Sequence, residues 1–141
     1  MVVPDGVYRI VAGVDRDEER ARICAQAIVD LPGPPSERTV WLLHSFENNP
    51  EGASATQVGA VREAREILEE AGVEVSVHES SGDPADELLA LADEADADLV
   101  AVAGRRDRTP AGKALFGSTT QAVLLDADRS VLVAGPGATP D

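Results

Sequence analysis

"GDPADELLALADEADADLVAVAG", residues Gly82 to Gly104, holds a helix start, a helix and a strand in direct succession. Asp83 suits an N-cap, and Pro84 suits the first helical position, where its missing N–H would have had no partner anyway. Leu88, Leu89 and Ala92 then recur at the spacing of one helix face. "LVAVAG", from Leu99, is apolar throughout, as a strand covered on both sides must be. A helix leading into a two-sided strand is half of a parallel crossover unit, and it sets the expectation for the rest of the chain.

Outward from that stretch the same alternation recurs. "YRIVAGV" (Tyr8 to Val14) reads as a strand ending at Asp15. The helical spacing of Ala21, Cys24, Ala25, Ile28 and Leu31 follows, until Pro32 to Pro35 breaks it. "TVWLLHSF" (Thr39 to Phe46) is a second strand, then a polar stretch, then a helix from about Ala55 to Ala71 with Val58, Val61, Ala64, Leu68 and Ala71 on one face. Gly72 suits its terminator. "VEVSVHE" alternates apolar and polar residues, as a strand near a sheet edge would. Ser118 to Ala127 reads as a short helix, and Val131 to Gly135 as the last strand. Five strands and four helices joined by right-handed crossovers predict one α/β domain over residues 1–141, a doubly wound parallel sheet with helices on both faces. The tail "PGATPD" is expected to be disordered. In such sheets ligands bind beyond the carboxyl ends of the strands, which directs attention to Asp15 and Gly104.

Composition narrows the function classes. The 141 residues carry 26 Asp and Glu against 12 Lys and Arg, a formal charge of -14, and Lys113 is the only lysine. Such a surface repels nucleic acid and anionic lipid, so neither is expected as a partner. No stretch approaches a membrane span, and Cys24 has no second cysteine to bridge, so a cytoplasmic setting is expected. Acidity with almost no lysine also fits a salt-rich, halophilic cytoplasm, or an acidic protein with an arginine-favouring codon bias.

Against this background "GRRDRTPAGKALFGST" (Gly104 to Thr119) inverts the local charge. Arg105, Arg106, Arg108 and Lys113 outnumber Asp107, giving +3 within an acidic chain. One reading is a solvated loop pairing with acidic neighbours; the other is an anion site. Gly117 and Ser118 open a helix whose free N–H groups favour an anion.

The run from the Gly-x-Pro helix start through the apolar strand, the glycine loop and "GST" resembles the C-terminal half of the universal stress protein family, and the element order fits along the whole chain. The resemblance implies strand order 3-2-1-4-5 and a homodimer, here through the last strand, Val131 to Ala134. It also implies ATP binding, with or without Mg²⁺, through Gly, two residues, Gly, nine residues, Gly, then Ser or Thr. On that spacing Gly104, Gly117, Ser118 and Thr119 fall in place, Arg105 lies within the loop, and Asp107 replaces the second glycine. Asp107 sets a carboxylate where the family has bare backbone. By the same resemblance Asp15 contributes to a nucleoside pocket, although Asp15 or Asp17 could equally cap the next helix, and Ser45 or its neighbours contact adenine. The expected function is an adenine-nucleotide-binding stress-response module, non-catalytic or slowly hydrolytic. The alternatives are a nucleotide-free dimeric scaffold and a slow Mg-dependent ATPase.

Other chemistries lack support. Gly112-Lys113 is followed by Ala114, so no P-loop forms. His44 and His78 lie in separate strands and read as core or surface residues, leaving no zinc site. Cys24 reads as packing, and no nucleophile, base and orienter combine into a catalytic set.

Overall fold

The computed structural model describes residues 7–46, 58–104, 107–108, 114–115 and 117–135, the two short stretches by backbone alone. The tail and most of the arginine loop, Arg105 included, lie outside the described residues. In chain order the elements are β1 (Tyr8–Gly13), α1 (Glu18–Val29), a 3-10 turn (Pro35–Glu37), β2 (Arg38–Ser45), α2 (Gly59–Glu70), β3 (Glu74–Ser80), α3 (Pro84–Ala95) and β4 (Leu99–Ala103). Two-residue strands β5 (Asp107–Arg108) and β6 (Ala114–Leu115) precede α4 (Ser118–Asp126) and β7 (Ser130–Ala134).

Five strands form one sheet in the order β3-β2-β1-β4-β7, every pair parallel. With β7 as the fifth strand of the sheet, this is the expected 3-2-1-4-5 order. Strands β5 and β6 form a separate antiparallel pair, Asp107 opposite Leu115 and Arg108 opposite Ala114, which the sequence reading had as loop.

The apolar runs divide by strand parity. Ile10, Ala12, Val40 and Leu42 point to one face, where α1 and α2 seal them with Cys24, Ile28, Val61 and Leu68. Val11, Val100 and Val102 point to the other, under α3 and α4 with Leu88, Ala92 and Val123. Helix α3 can approach β1 closely because Gly13 has no side chain: a Cβ there would sit 3.1 Å from a Leu88 methyl. Strand β3 is at the edge, as its alternating pattern implied.

Helix ends follow local chemistry. Asp83 caps α3 through the N–H of Asp86 at 3.1 Å, with Pro84 as the first helical residue. Gly72 closes α2 at φ +94, its N–H bonding Glu69 O at 3.0 Å while Val73 N–H reaches Leu68 O at 3.0 Å. Helix α1 stops at Val29, so Leu31 lies past its end. There a charged residue replaces glycine chemistry: the buried Arg38 guanidinium donates to the carbonyls of Ile28, Val29, Leu31, Pro32 and Gly33. These carbonyls belong to the helix end and its trailing turn, where intrahelical partners run out; among the described residues that of Ile28 also accepts the Leu31 N–H at 3.3 Å.

Candidate functional site

Strand order reverses between β1 and β4, and the chain leaves these strands in opposite directions. A cavity of about 670 Å³ opens at their carboxyl ends, a volume suited to a small-molecule ligand. Gly13 to Asp17 line it from β1, Leu43 to Phe46 from β2, Val102 and Ala103 from β4, and Gly117 to Thr120 from the start of α4. Five of the expected site residues, Asp15, Ser45, Gly117, Ser118 and Thr119, therefore share one wall system although they span the chain.

The turn after β1 resolves the choice between the two aspartates. Asp17 caps α1, accepting the N–H of Arg20 at 3.0 Å. Asp15 is released from capping; its Oδ1 accepts the N–H of Asp17 at 2.8 Å, and its Oδ2 receives Arg20 through Nε at 3.0 Å and through Nη2. Its side chain remains about half exposed at the cavity.

Ser45 is held differently. Its hydroxyl donates to the Gly82 carbonyl at 2.5 Å and lies 3.4 Å from the Ser80 hydroxyl, tying β2 to the β3–α3 turn. The side chain is thus committed to the protein, and Ser45 meets the cavity as part of its wall.

Helix α4 faces the cavity with its N-terminus. Gly117 is the N-cap and supplies no side-chain acceptor, so the first-turn N–H groups and the hydroxyls of Ser118 and Thr119 are presented together. Thr120 turns inward, its hydroxyl donating to Ala103 O at 3.3 Å and fixing α4 to β4. Such an end, with its partial positive charge, is an anion site in the making. Gly104 lies away from the cavity wall, and its N–H extends the β4–β7 ladder to Ala134 O at 2.9 Å. Asp107 has its backbone in the short β5–β6 pair.

Residues that the spacing did not flag complete the walls. His44 is 3% exposed; its Nδ1–H donates to Val14 O at 2.8 Å, and its buried Nε2 has no hydrogen-bond partner among the described residues. Phe46 packs edge-on to it, with ring centroids 4.5 Å apart, and the Arg16 guanidinium lies 5.8 Å over the Phe46 ring. Arg20 had one legible signal: a cation in the first turn of a helix opposes the macrodipole, so something local must hold it. Cys24 is buried in the α1 face; burial, helped by the charge of Asp15, pushes its thiol up to about 12, leaving it a protonated packing group at neutral pH. His78 lies on β3 with Nε2 2.9 Å from the Ser76 hydroxyl; it pairs in register with Leu43 while His44 pairs with Glu79, so the two histidines belong to opposite faces of the sheet. Among the described residues no group of three His, Cys, Asp or Glu side chains could hold a metal, and no helix is long and apolar enough to cross a membrane.

The fold and cavity define a doubly wound α/β domain with a switch-point ligand crevice and an open helix N-terminus. The sequence profile of the universal stress protein family matches residues 7–135, and the chain belongs to that family. A universal stress protein of Mycolicibacterium smegmatis is 37% identical over 79 residues, which span 55% of this chain and 60% of that relative's length, under two thirds of it. Among solved structures, a universal stress protein in complex with cAMP superimposes with a TM-score of 0.70 at 26% identity, covering 92% of this chain and 98% of that one. The universal stress protein from Archaeoglobus fulgidus in complex with dAMP gives a TM-score of 0.63 at 20% identity over 95% and 99% of the two chains; this likeness is one of fold.

Proposed function

We propose that this chain is an adenine-nucleotide-binding module of the cytoplasm, non-catalytic or only slowly hydrolytic, with ATP as its ligand. The observation that carries this reading is the juxtaposition of the α4 N-terminus with Asp15 and Ser45 around one cavity at the switch point. Phosphates would lie against Gly117, Ser118 and Thr119, with Arg105 and its neighbouring cations offsetting the acidic surface, and the nucleoside would reach past Asp15 toward Ser45. A family member bound to cAMP supports the ligand class. A divalent cation, where used, would arrive with the phosphates, since the described residues offer it no ready ligand set. Among the described residues β7 is an edge strand of the sheet, and an apolar edge of this kind favours pairing with a second copy through Val131 to Ala134.

One observation favours the nucleotide-free scaffold as second reading. The backbone at Asp107 is paired with Leu115, where a phosphate cradle would need free N–H groups. Titration calorimetry with ATP, with and without Mg²⁺, on the wild type and Asp107→Gly separates the two. The nucleotide reading expects saturable binding by the wild type, and tighter binding by about 1–2 kcal/mol in the glycine variant without Mg²⁺. No heat of binding from either folded protein leaves the scaffold.

A further inference from the structure

The turn "DRDEE" (Asp15 to Glu19) holds four carboxylates, and two of them, Asp15 and Asp17, line a cavity that is read here as binding an anion. Arg20 answers them from the first turn of α1, where the helix dipole alone disfavours a cation. Its guanidinium binds Asp15 through Nε and Nη2 and comes within 3.7 Å of Asp17 through Nη1, and its side chain is only 26% exposed while lining the cavity. Both arginine donors land on Oδ2 of Asp15, and the Asp17 N–H takes one lone pair of Oδ1. Among the described residues one acceptor position of Oδ1 is left over, on a carboxylate that can no longer rotate freely.

We propose that Arg20 is a positioning residue that presets Asp15 to accept a hydrogen bond from the ribose hydroxyls of the bound nucleotide. The proposal rests on the nucleotide reading of the cavity. Its location argues for ribose: β1, which carries Asp15, sits between β4, beside the anion-binding helix end, and β2, at the far wall. Neighbouring strands lie about 4.8 Å apart, so a group one strand from the phosphate end meets the sugar and one two strands away meets the base. Arg20 also offsets charge that would otherwise repel the phosphates.

The test compares AMP with 2′-deoxy-AMP by titration calorimetry on the wild type, Arg20→Lys, Arg20→Gln and Asp15→Asn, each checked for folding by its thermal melt. The wild type prefers AMP by about tenfold, the scale of one hydrogen bond to a charged acceptor. Lysine keeps the charge but loses the fork, so Arg20→Lys and Arg20→Gln both shrink the preference to that of Asp15→Asn, and adding Arg20→Gln to Asp15→Asn changes the ratio no further. A ratio unchanged in both Arg20 variants overturns the proposal, as does an equal loss of affinity for the two nucleotides, which would make Arg20 a charge balance alone. A wild type that binds neither nucleotide overturns the reading of the cavity and this inference with it.

Discussion

Arg38 shows how one residue can determine where an element ends. It is 4% exposed yet charged, and its guanidinium reaches the carbonyls of Ile28, Val29, Leu31, Pro32 and Gly33 in place of a carboxylate. The partial negative charge at the end of α1 makes that position favourable for a cation, and α1 has no basic residue in its own last turn. Replacing Arg38 by Met keeps the stem's packing but removes the donor from a cluster of mostly part-buried carbonyls, so Arg38→Met lowers unfolding stability by about 3 kcal/mol in urea denaturation, and Arg38→Lys recovers part of it. A loss within about 0.5 kcal/mol, the range of ordinary surface changes, would mean that water replaces the guanidinium without strain.

At the scale of elements, two helix ends use the same geometry with different residues. Gly72 closes α2 at φ +94, and Asp96 closes α3 at φ 51, with Ala97 N–H bonding Ala92 O at 2.9 Å. Left-handed backbone disfavours a side chain, so Gly72→Ala costs about 1 kcal/mol although nothing lies within 4 Å of the added Cβ. The converse change, Asp96→Gly, raises stability by about 0.5 kcal/mol, the relief of strain being partly offset by glycine's greater freedom when unfolded. The Asp96 contact to Arg129 at 3.6 Å adds little, since that aspartate is 87% exposed. Thermal melts of the two variants should move in opposite directions; the same sign for both would put the difference in packing and not in backbone conformation.

Over the whole molecule, the charge of -14 is spread over a small domain, and its self-repulsion weakens as salt shortens the screening length to about 3 Å at molar concentration. The unfolding midpoint therefore rises with KCl between dilute buffer and molar salt, and a flat or falling midpoint contradicts this. The elements and their order were legible in the sequence because period and punctuation agree: an apolar run from Ile10 onward in β1 and an uninterrupted one in β4, Asp83 before Pro84, Gly72 after a helical face. What stayed hidden depends on contacts distant in sequence or on unusual residues. Arg38 reads as a surface residue until the end of α1 folds over it; Asp96 takes a conformation that glycine would announce; the partnership of Asp15 with Arg20 needs the turn of the backbone between them. Of the residues that the phosphate-loop spacing singled out, Gly117, Ser118 and Thr119 line the same cavity as Asp15, while the spacing did not anticipate Gly104 in the β4–β7 ladder or the pairing of β5 with β6.

The central claim is that the switch-point cavity holds an adenine nucleotide, and backbone amide NMR of the labelled protein tests it most directly. Titration with ATP should produce saturable shifts concentrated at Asp15 to Asp17, Ser45 and Gly117 to Thr120, the residues that share the cavity wall. Shifts that spread over the acidic surface without saturating, or a spectrum that does not change at millimolar ATP, would contradict it.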